Sequence, residues 1–181
     1  KIKLYSHDAA IYISDDWDIT QKLRLSAGLR FGNFTQIGPF TRYKKDVSGK
    51  ITDTISYRPG QIVANYNGLE PRLSLRYTTG KNSSVKASYA RNFQYVHLAS
   101  ISSISLPTDI WMPCTEVIKP QESNQYAVGF FKNFLDNYYE ASVEVYYKTM
   151  SNQIEYKEGS QPTDNIYDNP DNAFTFGKGW A

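Results

Sequence analysis

The stretch QKLRLSAGLRFG, residues 21–32, alternates apolar and polar side chains from its third residue onward. Because successive side chains of an extended strand point to opposite faces, it predicts a β-strand with one apolar and one polar face. The apolar side chains are Leu23, Leu25, Ala27, Leu29 and Phe31, and the others are Arg24, Ser26, Gly28, Arg30 and Gly32. Whether a protein core or lipid covers the apolar face decides what kind of protein this is.

Five further segments repeat the alternation, so the sequence predicts about six long strands. They are HDAAIYISDDW (7–17), EPRLSLRYTT (70–79), SSVKASYARNFQY (83–95), SNQYAVGFF (123–131) and YYEASVEVYYK (138–148). In the first of these, apolar side chains fall on both faces, and its polarity is ambiguous in the middle. The final GKGWA (177–181) has the pattern of the beginning of a seventh strand.

Two kinds of connection alternate strictly along the chain, namely short turn-like links and long irregular stretches. The links are residues 18–22, 78–83 and 133–137, and the long stretches cover about 33–68, 93–122 and 149–178. In an antiparallel sheet this order places all short turns at one end and all long loops at the other. The layout is typical of an outer-membrane β-barrel with short periplasmic turns and long extracellular loops.

The composition excludes several other classes of protein. Apolar residues make up 40% of the 181 residues, the mean hydropathy is −0.54, and no segment resembles an apolar transmembrane helix. The 20 basic and 18 acidic residues are spread along the chain, so no basic patch predicts a nucleic-acid partner. The single cysteine, Cys114, allows no internal disulfide and no cysteine metal cluster. We find no catalytic constellation and no metal-ligand spacing, and we expect no cofactor.

Three features favour lipid over a protein core as the cover of the apolar faces. The predicted strands reach the roughly 9–11 residues that a tilted transmembrane strand needs, whereas strands of globular proteins average about 5–6. Aromatic residues cluster near the strand ends, as they do at membrane interfaces. Three irregular loops of this length are unusual in compact domains. Since six strands do not close a barrel, we expect residues 1–181 to be a slice of one larger barrel domain.

The order of motifs along the chain resembles the barrel of TonB-dependent outer-membrane receptors. AAIYISDDWDITQKLRLSAGLRFG (9–32) is similar to a common hairpin of that family. LEPRLSLRY (69–77), SVKASYARNFQYVHLAS (84–100), SLPTDIWMP (105–113), IKPQESNQYAVGF (118–130) and EASVEVYYKTMSNQIEY (140–156) resemble its Bacteroidetes-type subgroup. The resemblance implies an all-β, antiparallel transmembrane β-barrel in the bacterial outer membrane, filled in the whole protein by an N-terminal plug domain.

The resemblance also implies active uptake of a scarce nutrient, such as an iron–siderophore chelate, with energy supplied by TonB. The plug and the TonB-contacting box are absent from the sequence, so this slice would supply barrel wall, lumen lining and three outer loops. The implied partners are outer-membrane lipid, the TonB complex and a small nutrient ligand, with a surface lipoprotein as a further candidate. The protein itself is not expected to be an enzyme.

Two groups of residues are candidates for a functional role. The first group is polar because its side of the predicted sheet faces water. It consists of the predicted lumen-facing residues Arg24, Arg30, Arg72, Arg76, Lys86, Glu140 and Glu144. The second group lies on the loop around residues 93–120, where side chains could stack on or anchor a ligand: Tyr95, His97, Asp109, Trp111 and Met112. Both groups also have plain structural explanations, as solvated or paired charges and as the packing of a rigid loop. Cys114 is expected on the same outer loop, and the acidic run 162–172 is read as a solvated loop.

Two alternatives stay open at this point. A passive porin or adhesin-type barrel would share the wall but have no plug. A soluble β-sandwich that binds carbohydrate would instead bury the apolar faces against one another. Solubility that depends on detergent separates the sandwich from both barrels.

Overall fold

The chain forms an all-β structure of antiparallel strands. The computed structural model describes residues 3–46, 48, 50–99, 110–156 and 174–181. Its strands are β1 (Tyr5–Thr20), β2 (Leu23–Ile37), β3 (Phe40–Lys45), β4 (Ile51–Tyr57), β5 (Ile62–Gly80), β6 (Ser83–Gln94), β7 (Val96–Ala99), β8 (Ile110–Pro113), β9 (Gln121–Phe134), β10 (Tyr139–Tyr156) and β11 (Phe174–Trp180). No helix among these residues is long and apolar enough to cross a membrane.

Seven of the strands form one sheet in the order β1-β2-β5-β6-β9-β10-β11. Each strand is antiparallel to its neighbour, and β1 and β11 are the two open edges. The remaining strands form two separate hairpins, β3–β4 and β7–β8, each inserted between neighbouring strands of the large sheet. The six predicted strands and the predicted seventh are therefore confirmed, as one continuous and unclosed wall.

The short turns are confirmed, whereas the description of the long stretches as irregular was wrong. The turns lie between β1 and β2, between β5 and β6, and between β9 and β10. In the long stretches the wall strands continue well beyond the predicted ends, to Ile37 in β2 and Tyr156 in β10. The hairpins β3–β4 and β7–β8 occupy much of what remains. Pairing between extended strands satisfies backbone groups that irregular loops would leave to water.

The register places apolar side chains of neighbouring strands on one face, here called the apolar face. Ile11 and Ile13 of β1 lie opposite Phe31 and Leu29 of β2, which resolves the ambiguity of the first strand, while Tyr12 lies opposite Arg30 on the other side. Large apolar side chains of this face stay open to solvent: Ile11, Ile13, Leu29, Phe31, Leu73, Leu75, Val128, Phe130, Val143 and Val145. Since no described part of the chain covers them, the face is suited to lipid rather than to a protein core.

The apolar face has a sharp upper limit on several strands. In β2 and β5 it ends at Phe31 and Leu69, and the next outward-facing pair, Asn33 and Asn67, joins by a 2.7 Å side-chain hydrogen bond. Along β10 the apolar band runs over 139–147 and is followed by Thr149. These runs match the roughly 9–11 residues of a strand that crosses a bilayer. The strands are longer than that, so the upper part of the wall continues past the apolar band.

The face opposite the apolar face is here called the polar face, and most of the buried residues lie at the end of the wall that carries the long loops, with Phe34 and Gln36 of β2 buried on the polar face. One cluster contains Phe34, Tyr95 and Cys114, with Tyr66 and Phe93 packed against it. A second contains Ala99, Met112, Ile118 and Phe174, flanked by Ile154 and Tyr156. Both clusters hold the β7–β8 hairpin and the residues after it against wall strands, and much of the buried core of the described chain thus lies where this loop meets the wall.

Candidate functional site

Three cations form a row across the polar face near the short turns. Arg24, Arg76 and Lys86 are direct cross-strand partners on β2, β5 and β6. Like charges directly opposite each other repel, so the row needs compensation. Arg24 lies 3.2 Å from Asp16 and 3.8 Å from Asp18, and the Lys86 ammonium lies 4.3 Å from the centre of the Phe131 ring.

The other predicted lumen-facing residues share this face. Arg30 donates a 2.6 Å hydrogen bond to Glu70, whose side chain is only 3% exposed. Arg72 donates to Asn92 on the neighbouring strand β6 at 3.0 Å. Glu144 lies opposite Gly129, which is the partner of Lys86, and Glu140 lies opposite Asn133. The register therefore brings all seven residues to one side of the wall, over a surface of small residues that includes Ser26, Ser74 and Ser88.

Above the Arg30–Glu70 pair, a slot in the wall receives the ring of Tyr95. Gly32 and Gly68 are cross-strand partners, and a Cβ atom on Gly68 would collide with the Tyr95 hydroxyl and lie 2.7 Å from the Phe93 ring. The Tyr95 ring stacks on Phe34 with centroids 5.2 Å apart and planes 2° apart. Two residues without side chains thus make room for one aromatic ring from a loop.

The segment after β8 is fixed to the same part of the wall. The Cys114 amide donates a 2.8 Å hydrogen bond to the Tyr95 carbonyl oxygen, and the Tyr66 hydroxyl donates at 2.6 Å to the Thr115 carbonyl oxygen. On the far side Arg42 of β3 donates at 2.7 Å to Glu116. The β7–β8 hairpin is therefore tied both to the wall and to the β3–β4 hairpin.

His97 and Cys114 form a fully buried pair beneath the hairpin. His97 Nε2 lies 3.2 Å from Cys114 Sγ, and neither side chain is exposed. Burial lowers the pKa of His97 from 6.5 to about 4 and raises the pKa of the Cys114 thiol to about 12. Both groups are neutral near pH 7, and the thiol is far from the thiolate form that reacts or binds metal.

The structure separates the predicted ligand-binding residues into buried and open ones. Tyr95, His97 and Met112 are buried in the packing of the loop. Trp111, on the opposite face of β8, is 62% exposed, and it pairs across the hairpin with Leu98. Asp109 lies outside the described residues, as does the acidic run 162–172. Cys114 is on a loop beyond the wall, as expected, but it is not accessible at its surface.

Several residues of this region were missed by sequence reasoning. Phe34 and Gln36 continue the alternation of β2 on the polar face and are buried there, although this segment was expected to be an irregular loop. The slot glycines Gly32 and Gly68 carried no recognisable signal except the absence of a side chain in a strand, which often marks a close approach of other atoms. Within the described residues no group of three or more His, Cys, Asp or Glu side chains could hold a metal ion.

The whole length of the wall matches one protein family. The model of the TonB dependent receptor-like beta-barrel matches residues 3–177. No curated protein sequence matches the chain significantly.

Solved structures share the fold at low sequence identity. The ferric-catecholate import receptor Fiu from K12 E. coli, in its closed form, is 20% identical with a TM-score of 0.56, over 97% of this chain and 24% of that one. The alcaligin outer membrane receptor FauA from Bordetella pertussis is 15% identical with a TM-score of 0.54, over 97% of this chain and 25% of that one. A double mutant of the Serratia marcescens hemophore receptor HasR, in complex with its hemophore HasA and heme, is 14% identical with a TM-score of 0.55, over 86% of this chain and 27% of that one.

The chain spans about a quarter of the length of these receptors, with 24% of Fiu and 27% of HasR covered. Its unclosed sheet is accordingly a segment of a larger wall. The family match, the alternating strands and the uncovered apolar face agree with one another. The chain belongs to the family of TonB-dependent receptor β-barrels, which lie in the bacterial outer membrane.

Proposed function

We propose that the whole protein is an active transporter that takes up a scarce nutrient, such as an iron chelate, across the outer membrane with energy from TonB. The observation that carries the proposal is the two-faced wall: no described residue covers its apolar face, and its polar face carries a set of charged side chains. On this proposal Arg24, Arg30, Arg72, Arg76, Lys86, Glu140 and Glu144 line the lumen. The Bacteroidetes-type origin, a plug with its TonB box and a surface lipoprotein are parts of the same proposal.

Trp111 is the residue we propose for ligand contact. It is 62% exposed on a hairpin whose other face is packed against the wall, so its indole is held out on a rigid support. A rigid, exposed aromatic ring binds apolar or planar parts of a ligand at small cost in conformational entropy. Ferric catecholates and haem have such parts, and the names of Fiu and HasR give a ferric catecholate and haem to receptors with the same fold.

Uptake into cells that carry the full-length protein tests the proposal. Iron-55 in a ferric catecholate or in haem is supplied to cells with and without the receptor, and a protonophore is added to remove the energy source of TonB. We expect saturable uptake of at least one probe that stops when the protonophore is added. Uptake that is unsaturable and insensitive to the protonophore would favour the passive porin instead.

The contribution of Trp111 is tested in the same cells. Trp111→Ala should raise the half-saturation concentration about tenfold, since one aromatic contact contributes roughly 1–2 kcal/mol to binding. Tyr138→Ala is the matched control, because Tyr138 is an exposed aromatic residue in the short turn at the other end of the wall. Equal half-saturation concentrations for both variants would show that Trp111 does not contribute to ligand binding.

A further inference from the structure

The outer surface of β1, β2 and β5 changes from apolar to uncharged polar directly above the apolar face. Asn33 and Asn67 are cross-strand partners at the first outward level, and Thr35 and Asn65 are partners at the second. These four residues are here called the amide ladder. On β1, His7 lies opposite Thr35. No Asp, Glu, Lys or Arg stands at the outward positions of these two levels on the three strands.

A series of hydrogen bonds joins the four side chains of the amide ladder. The Asn33 amide donates to the Asn67 side-chain oxygen at 2.7 Å, and the Thr35 hydroxyl donates to the Asn33 side-chain oxygen at 3.1 Å. The Asn65 amide in turn donates to the Thr35 hydroxyl at 2.5 Å. Each side chain is thereby held in one orientation, which lowers the entropy cost of binding a further partner.

The amide ladder still has hydrogen-bonding capacity toward the outside. An asparagine side chain has two N–H donors and an oxygen that can accept twice. Within the described residues, Asn67 uses only its oxygen and Asn65 uses only one N–H group, and both side chains are exposed. The surface therefore presents donors and acceptors side by side, whereas a lysine only donates and a carboxylate only accepts.

Aromatic side chains border the amide ladder on both sides. Phe31, the outward residue of β2 before Asn33, is 45% exposed, and Tyr5, the outward residue of β1 beyond His7, is 48% exposed. Aromatic rings pack against apolar C–H groups, and amides match hydroxyl groups, which both donate and accept. A sugar has both kinds of group. A phosphate would instead favour arginine or lysine, which these two levels lack.

The amide ladder continues the surface that meets lipid. The first level follows Phe31 and Leu69, the last apolar pair of β2 and β5. Two successive outward levels are about 7 Å apart along a strand, and the headgroup layer on each side of a bilayer is about 5–7 Å deep. The amide ladder is thus at headgroup height, at the long-loop end of the wall, which we expect to lie outside the cell.

We propose that the amide ladder binds the sugar headgroup of lipopolysaccharide, the glycolipid of the outer leaflet of the bacterial outer membrane. The amides of Asn65 and Asn67 bond its hydroxyl groups, and Phe31 and Tyr5 pack against the sugar rings. The proposal rests on the outer-membrane location of the family and on the expected orientation of the wall. It does not depend on what the whole protein transports.

Lipid retention by the purified full-length receptor tests the proposal. The receptor in detergent is incubated with increasing concentrations of rough-type lipopolysaccharide or of phosphatidylglycerol, and lipid that is isolated with it is counted by mass spectrometry. Combined Asn65→Ala and Asn67→Ala should raise the half-saturation concentration for lipopolysaccharide about tenfold, because two hydrogen-bonding amides are removed. The value for phosphatidylglycerol should not change. No change for lipopolysaccharide, or an equal change for both lipids, would overturn the proposal.

A hydrogen-bonded asparagine pair at the short-turn end is the matched control. Asn133 donates to the Asn137 side-chain oxygen at 2.9 Å, and the pair is exposed. The control combines Asn133→Ala with Asn137→Gly, since Asn137 has a φ of 73°, which glycine adopts without strain. It should retain lipopolysaccharide as the wild type does. A loss as large as that of the amide-ladder variant would mean that the amide ladder is not the binding site.

Two further probes separate sugar from phosphate and membrane lipid from free sugar. Dephosphorylated lipopolysaccharide should keep the difference between the wild type and the amide-ladder variant, and loss of that difference would assign the site to phosphate and overturn the proposal. The core oligosaccharide without its lipid should bind more weakly, because no acyl chain holds it against the apolar face. Equal binding of both would mean that the membrane glycolipid is not the occupant.

A single variant covers the case in which the double variant does not fold, which its migration in unheated gels would show. Asn65→Ala removes only the last member of the hydrogen-bonded series, and it should raise the half-saturation concentration for lipopolysaccharide about threefold. A value equal to that of the wild type would contradict the proposal. None of these measurements uses a nutrient ligand, so their outcome is separate from that of the uptake experiment.

Discussion

His97 is buried as a neutral imidazole, and this makes the β7–β8 hairpin sensitive to pH. Its Nε2 contacts Cys114 Sγ at 3.2 Å, and its other ring nitrogen has no partner among the described groups. A proton on the ring would be a buried charge without a counter-charge, which is why its pKa falls to about 4. When the hairpin is released, water can hydrate the ring, and its pKa returns toward the ordinary 6.5.

We predict that the packing of the β7–β8 hairpin against the wall loses stability as the pH falls from about 6.5 to about 4. In this window the exposed imidazole binds a proton that the buried one does not, so protonation favours release, by about 3 kcal/mol at most. Hydrogen exchange of the β7 amides, corrected for intrinsic rates, measures the opening free energy at each pH. The dependence should disappear in His97→Gln. Opening that is independent of pH in the wild type would contradict the prediction.

For single residues, the sequence predicted the face of the sheet to which a side chain points, but it did not predict whether that side chain is buried. Alternation alone assigned Arg24, Arg76 and Lys86 to one face, because a strand leaves only two choices for each side chain. The burial of Tyr95 and Met112 could not be predicted in this way. It depends on which part of the wall the loop contacts, and that contact joins residues far apart in the sequence, such as Tyr95 and Phe34.

The strands themselves were predicted well in number and poorly in length. Between the turn and the upper limit of the apolar face, lipid demands an apolar side chain at every second position, and the pattern is clear. Beyond Phe31 and Leu69 the outward positions are Asn33, Asn67 and their neighbours, and water or loops cover both faces. The alternation then fades although the backbone pairing continues, which is why the predicted ends came too early.

Adjacent positions of β10 should respond oppositely to a charge. Val145 lies on the apolar face and is 70% exposed, whereas Tyr146 lies on the polar face opposite Ala127. Val145→Arg should lower the free energy of unfolding by about 2–4 kcal/mol, as a cation does near the middle of the bilayer, and Tyr146→Arg should change it little. Urea unfolding of the full-length receptor in lipid vesicles measures both. Equal losses would mean that the apolar face does not meet lipid.

The whole molecule is a wall with two different ends. One end carries the short turns, and the other carries the β3–β4 and β7–β8 hairpins. From this asymmetry we predict that the hairpins lie outside the cell and the turns in the periplasm, as long loops and short turns do in outer-membrane barrels.

Single cysteines test the orientation of the wall. In a Cys114→Ser background, Ser48→Cys lies at the tip of the β3–β4 hairpin and Lys81→Cys lies in the turn between β5 and β6. An impermeant maleimide should label the first on intact cells and the second only after the outer membrane is permeabilised. Labelling of Lys81→Cys on intact cells, with protection of Ser48→Cys, would reverse the assigned orientation.

The arginines on the polar face of β5 have a consequence for the fidelity of assembly. If β5 paired with β2 one residue out of register, Arg72 and Arg76 would turn outward, and Leu73 and Leu75 would turn inward. Each arginine moved into hydrocarbon near the middle of the bilayer would cost about 2–4 kcal/mol. A wall with this misaligned register would therefore be less stable in the membrane. The charges on the polar face thus help to select the correct pairing of the strands.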